Sequence, residues 1–312
     1  MKRRIMTVVL VALAAVLTFA IAGCKSEPYE PQPLSPKVST PAIGKDGVLR
    51  VGVDTTSSPF AGQVNGKVVG LDVDAAAALA DQLGVKLELV DVSATGTSAL
   101  EDGSVDIVLG LTSADAEETL WLSEPYIQTA VALFSGAGNA TVPTAASAPT
   151  IAAQTSSMSA WAVENIFGEP SLVPCEDLKS AFSSVETGSA AYVAADAVIG
   201  SYAAKMNNVD VQIIALLENA GGYCIGVSAA NTDLQAAIAD ALSTVKAGGI
   251  LDIVDTKWLG SPMDLSAMPL VEGAGASVAE NAEGAQSDGM TTGAASAGAN
   301  AVTPDGGVAG AR

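Results

Sequence analysis

Strand-like and helix-like segments alternate from residue 48 to residue 245, and no other feature narrows the choice of fold as much. Val48-Leu49-Arg50-Val51-Gly52-Val53 has the apolar, β-branched character of a strand. Val73 to Leu83 is Ala-rich and reads as a helix, Val85 to Val92 as a strand, and Val105 to Leu109 as another short apolar one. Thr150-Ile151-Ala152-Ala153, Leu172-Val173-Pro174 and Ala191 to Ala195 repeat the pattern. Leu234, Ala237, Ile238, Ala241, Leu242 and Val245 step by three and four, which turns one apolar stripe of a helix inward. Strands that alternate with helices imply parallel sheets with helices on their faces, an α/β class.

The two ends of the chain are different in kind. Lys2, Arg3 and Arg4 lead into an uncharged apolar run that closes on Ile21-Ala22-Gly23-Cys24, the layout of a secretory signal peptide. The ending resembles a bacterial lipobox, which implies a signal peptide over residues 1–23 and a lipidated Cys24 as the new N-terminus. The alternative is a single transmembrane anchor, because the run approaches the roughly 18 apolar residues that suggest one. The small residues before Cys24 and the polar ones after it favour the lipoprotein. Residues 24–44, with Pro28, Pro31, Pro33, Pro36 and Pro41, read as an extended tether. Residues 263–312 turn to Gly, Ala, Ser and Thr and read as a disordered low-complexity tail, too poor in large apolar side chains to offset the entropy of ordering.

Charge and residue usage remove whole classes of function. The formal charge is −20, and loss of residues 1–23 takes it to −23, because they hold three bases and no acids. Nucleic acid and anionic membrane surfaces need basic patches, so neither is an expected partner. The chain has no histidine, the commonest general base and metal ligand, which excludes a Ser-His-Asp triad and histidine-ligated zinc. No metal cluster or cofactor pattern is present. Beyond Cys24 only Cys175 and Cys224 remain; an extracytoplasmic site permits a disulfide, and two buried thiols are the plainer reading.

Four segments, in order and spacing, resemble the family-3, amino-acid-type solute-binding proteins of ABC importers. They are Leu49 to Asp54 with Ser58-Pro59-Phe60; Gly70-Leu71-Asp72-Val73-Asp74 opening a helix that ends at Gly84-Val85; Leu122-Ser123-Glu124-Pro125-Tyr126; and Ala247-Gly248-Gly249-Ile250 with Lys257-Trp258-Leu259-Gly260. The resemblance implies a two-lobed, type II periplasmic-binding-protein-like fold whose lobes are joined by two crossing hinge strands. Lobe 1 would comprise residues 45–130 plus 228–262 and lobe 2 residues 131–227, with crossings near Thr129 to Ser135 and Tyr223 to Ser228. It further implies a monomeric, non-enzymatic receptor for a small-molecule ligand, working with an ABC transporter permease. Such a receptor would sit on the extracytoplasmic face of the cell membrane, at the cell surface or in the periplasm. From the residues themselves, Asp72 and Asp74 read as helix-start acids that cap free N–H groups. Trp258 reads as a core anchor whose indole needs a partner.

Relatives hold the ligand α-carboxylate with an arginine after a Thr-Pro-Glu-like turn. Here Gly110 to Glu118 places Glu117 or Ala116 at that position, so the clamp is missing. The other end of the site resembles the family better. Asp196 ends the segment Gly188 to Asp196 where relatives receive the ligand ammonium, with a structural cap as its alternative role. Asp54 follows the first strand in the same way, and Phe60 would wall the cleft or pack in the core. Thr112 and Ser113 would offer hydroxyls across the gap. Ser157 and Met158, in the turn after Gln154, would present helix-start N–H groups to an anion, with serine N-capping as the alternative. For a small polar solute, amino acid or amine-like, Asp54 and Asp196 without an arginine point to an amine or cationic compound, or to a polar one lacking a free α-carboxylate. Two other readings are a sensory or interaction module on the same fold and, less favoured, an enzyme resembling cyclohexadienyl dehydratase.

Overall fold

A computed structural model describes residues 34–93 and 96–274. The first sheet takes β1 (Val48–Val53), β4 (Lys86–Asp91), β5 (Ile107–Leu111), β13 (Gly221–Ser228) and β6 (Leu120–Leu122) in the order β4-β1-β5-β13-β6. β1 runs parallel to β4 and β5, and the long β13 runs antiparallel to β5, β6 and β7 (Ile127–Thr129). A hairpin of β2 (Gly62–Val64) and β3 (Lys67–Val69) precedes α1 (Leu71–Leu83), the crossover between β1 and β4. The short α2 (Gly96–Glu101) leads to β5, and α6 (Thr232–Ala247) with α7 (Ile250–Leu259) close the lobe. Leu49, Val51 and Val53 of β1 are fully buried with Leu71, Leu79 and Leu83 of α1 and Leu234 and Ile238 of α6.

The second sheet runs β10 (Leu172–Cys175), β9 (Ile151–Gln154), β11 (Tyr192–Asp196), β8 (Val131–Gly136), β12 (Val211–Leu216). Alternate residues of its strands feed two cores, as the strand period of two requires. Ala132, Phe134, Val193 and Ala195 face α4 (Leu178–Glu186), with Phe134 edge-on to Phe182 at 5.4 Å. Val131, Leu133, Tyr192 and Ala194 share the other face with Val163 of α3 (Met158–Phe167). The helix that follows β11, α5 (Ala197–Met206), belongs to this lobe by connection. Yet Val198 is fully buried, with Ile199 and Tyr202 beside it, in the core of the first lobe.

The chain passes between the sheets twice, at Ala130 and over residues 217–220. The second passage therefore lies before Tyr223, not over Tyr223 to Ser228. All of β13 pairs within the first sheet, because Ile225 and Val227 bury completely in that lobe's core, and residues 221–227 leave lobe 2. Two outer boundaries move as well. Val38 and Ile43 are buried in the first lobe, and Lys37 donates its N–H to the Leu83 carbonyl at 2.9 Å, so residues 35–44 are packed chain and not tether. Residues 263–274 are ordered against the second sheet, with Leu265 and Val271 each 2% exposed. Residues 1–33, with the signal-peptide and Cys24 readings, and the tail from 275 lie outside the described residues.

Both sheets aim the same edge at the passage between lobes. The parallel strands β1, β4 and β5 end at Val53, Asp91 and Leu111, and β9, β10 and β11 end at Gln154, Cys175 and Asp196. Asp196 pairs with Val131, the first residue of β8 after the passage, so the carboxyl ends of the second sheet meet the crossing. Carboxyl ends of parallel strands are where α/β sheets gather ligand groups.

Candidate functional site

The floor of the gap is acidic and aromatic. Phe60 is buried at 6% exposure with its ring 4.4 Å from that of Tyr223, tilted by 57°. It is held there because the backbone of Gly70 presses against it: a methyl at Gly70 would lie 2.0 Å from the Phe60 carbonyl oxygen. Asp72 follows at once and is 2% exposed. It does not cap α1; its carboxylate instead takes the Tyr126 hydroxyl, tying the helix to the strand that leads into the hinge. Burial pushes the Asp72 carboxyl up to about 7, the Tyr126 bond pulls it down, and the nearby charge of Asp54 pushes it up again. Asp54 spends one carboxylate oxygen on Thr56, at 2.9 Å to its N–H and 2.7 Å to its hydroxyl.

Tyr223 stands between the lobes. Burial raises its phenol pKa, and the charges of Asp196 and Asp72, in that order, raise it further. Asp196 comes from the second lobe, where its Oδ1 accepts the Val198 and Ile199 N–H groups at 2.9 Å each and caps α5. Its Oδ2 accepts the Thr129 hydroxyl at 2.6 Å. Burial raises the Asp196 carboxyl above the ordinary range against the pull of these three bonds. The structural cap expected for Asp196 is therefore present, and its charge also acts on Tyr223 across the lobes.

The remaining expected contacts are engaged elsewhere or stand apart. The Thr112 N–H and hydroxyl both donate to Asp115 Oδ2, at 2.7 and 2.9 Å, and Ser113 next to it is exposed. Ser157 is the N-cap of α3: its Oγ accepts the Ala160 N–H at 3.1 Å and donates to the Gln154 carbonyl at 2.6 Å. Met158 is 66% exposed on the first turn of that helix. The structure therefore brings Phe60 and Asp196 to Tyr223, with the charge of Asp54 felt at Asp72, while Thr112 and Ser157 are spent on local hydrogen bonds and Ser113 and Met158 are exposed.

Arg50, the one arginine among the described residues, is far from this edge. It lies in the first half of β1, where its Nη2 meets Asp106 Oδ1 at 2.6 Å and its Nη1 donates to the Gly103 carbonyl at 2.6 Å. The Asp106 side chain is 3% exposed, so the pair is a buried strut at the amino end of the sheet. Among the described residues no guanidinium faces the floor.

The model of the bacterial extracellular solute-binding proteins, family 3, matches residues 49–261. The chain belongs to that family. Among solved structures it is similar to an ancestral cationic amino acid solute-binding protein, at 27% identity and a TM-score of 0.57 over 68% of this chain and 96% of that one. It is also similar to the L-cystine solute receptor of Neisseria gonorrhoeae in its unliganded open conformation, at 25% identity and a TM-score of 0.59, covering 70% and 94% of the two chains. The substrate-binding protein of a polar amino acid ABC uptake transporter from Streptococcus thermophilus shares the fold, with a TM-score of 0.63 at 18% identity over 70% of this chain and 88% of that one. No curated protein matches.

Other family-3 motif residues in this solute-binding protein turn out to be tertiary fasteners. Asp74 accepts the indole N–H of Trp258 at 2.6 Å and pairs with Lys257, which joins the start of α1 to the end of α7. The partner expected for the Trp258 indole is thus the very acid expected to cap the helix. Cys175 and Cys224 are buried and free. Tyr223 was the residue missed: in Gly221-Gly222-Tyr223-Cys224 it reads as an ordinary strand aromatic, and only the pairing of β13 with β7 turns it toward the gap. Among the described residues no helix is long and apolar enough to cross a membrane.

Proposed function

We propose that this family-3 protein is the substrate-binding component of an ABC importer, lipid-anchored through Cys24, and that it takes a small polar solute carrying a cationic amine. The observation that carries the reading is the floor of the gap. Asp196 acts on Tyr223 from the second lobe, with Asp72 and then Asp54 behind the Phe60–Tyr223 pair in the first, while the lone described arginine is locked on Asp106. An ammonium seated beside Asp196 Oδ2 would offset the burial that now disfavours its charge, and an aromatic face adds cation–π attraction. A ligand α-carboxylate would meet like charge there and no bidentate donor. The relative described as binding cationic amino acids supports the same sign of charge.

Closure follows from differential affinity. A solute touching Asp54 and Tyr223 from one lobe and Asp196 from the other favours the arrangement in which both can be reached. A micromolar complex needs about 8 kcal/mol, within reach of a few charge-assisted bonds in a closed gap. Binding is favoured over catalysis because Asp72, whose carboxyl burial pushes up to about 7, is 2% exposed and spent on Tyr126.

The test is a thermal-shift panel of putrescine, cadaverine and the amides of arginine and lysine against glutamate and aspartate, with mass spectrometry of any solute carried through native purification. Stabilisation by the cationic members is expected. Stabilisation by glutamate or aspartate alone would overturn the proposal.

A further inference from the structure

We propose that residues 261–271 are a third connection between the lobes, a strap that restrains rotation about the two crossing segments. The family match ends at residue 261, so the two-crossing frame is complete without it. The strap leaves the first lobe at Gly260, whose left-handed backbone turns the chain out of α7. The end of α7 is held from the second lobe, and the start of the strap from the first. Lys205 of α5 donates to the Thr256 carbonyl at 3.2 Å and to that of Lys257, and the Met263 N–H donates to Asp255 Oδ2 at 3.2 Å.

The strap then touches each crossing in turn. The Leu265 N–H donates to Gln128 Oε1 at 2.6 Å, two residues before the passage at Ala130. Leu216, the last residue of β12 before the second passage, donates its N–H to the Pro269 carbonyl at 2.9 Å and accepts the Val271 N–H at 2.9 Å. Leu265 packs into the core on one face of the second sheet and Val271 into the core on the other, so the strap wraps around the β12 edge. Ahead of Leu265 it stands off the lobe. A cavity of about 430 Å³ lies between Pro262 to Leu265 and Val209 to Ile213.

Rotation of the second lobe must therefore break the Asp255 and Gln128 bonds or stretch the segment between them and Leu216. A plainer role exists, since an exposed edge strand needs cover against pairing with other chains. The two roles separate by site. Edge cover acts through Pro269 to Val271 on β12, and restraint acts through Gln128 on the first lobe.

The experiment is hydrogen exchange with small-angle scattering on the full chain and on Gln128→Ala and Leu265→Ser variants. Gln128→Ala leaves the β12 contacts in place and keeps the test alive should Leu265→Ser fail to fold. A restraining strap predicts exchange about fivefold to tenfold faster at residues 127–131 and 221–223 in Gln128→Ala, with a changed radius of gyration. Wild-type rates at those residues in Gln128→Ala, whether or not β12 responds to Leu265→Ser, would reduce the strap to edge cover and sink the proposal. Neither readout depends on which solute is bound.

Discussion

Asp72→Asn should change how stability depends on pH. The folded carboxyl titrates at about 7 against 3.8 in the unfolded chain, first because of burial. A raised acid stabilises the fold fully below its unfolded value, and that contribution disappears as pH climbs through the folded one. Over pH 4 to 7 the unfolded chain releases this proton while the folded chain keeps it. The gap of about 3 pH units corresponds to ~4 kcal/mol, because each unit is about 1.4 kcal/mol. Asn keeps an oxygen for the Tyr126 hydroxyl but has no proton to lose. Its own packing cost is independent of pH, so it drops out of the difference between the two curves. Urea unfolding at half-unit steps from pH 4 to 8 should show the wild type losing ~4 kcal/mol relative to the variant, most of it below pH 7. Parallel curves across that range would refute the reasoning and mean that Asp72 is ionised in the fold.

Arg50→Met should destabilise by about 1.5–3 kcal/mol in urea titration, because it removes the guanidinium and leaves Asp106 only the backbone N–H groups of Gly44 and residue 50, while solute-induced thermal shifts persist. Trp258→Phe should cost about 1.5–3 kcal/mol by the same titration through loss of the indole bond to Asp74, and Asp74→Asn should recover part of that in a double-mutant cycle. Asp196→Asn keeps an oxygen for the α5 cap, so its melting temperature should stay near wild type. Its affinity for a cationic solute, read by calorimetry, should fall about tenfold or more, the loss expected of one charge-assisted bond. Gly70→Ala should lower both stability and solute affinity, since the added methyl displaces the Phe60 backbone under Tyr223; unchanged affinity would separate that aromatic pair from the site.

What could be read from the chain was local or repeated. The strands Val48–Val53 and Tyr192–Asp196 and the helix Thr232–Ala247 announce themselves by pattern, because burial on one or both faces imposes a period. The acids at the start of α1 misled for a physical reason. A carboxylate there suits a cap, the helix dipole or a distant donor equally well, and only the folded chain shows that Tyr126 and Trp258 arrive from 54 and 184 residues away. The strap was invisible because much of its attachment is through backbone N–H and carbonyl groups, which composition does not record. Its apolar anchors, Leu265 and Val271, are too few to make a period. The lobe assignment of β13 failed likewise: a strand's partners are set by topology, and its own residues suit either sheet.

Helix α5 has divided loyalties. Its first turn is nailed to the second lobe by Asp196, while Val198, Ile199 and Tyr202 are sunk in the first. A swing of one lobe on the other would have to roll on those three side chains, which puts the pivot at the start of this helix. On the proposed reading of Asp196 as a ligand contact, a guest that tugs on this carboxylate would pull directly on that pivot, and grip and motion would meet in a single residue.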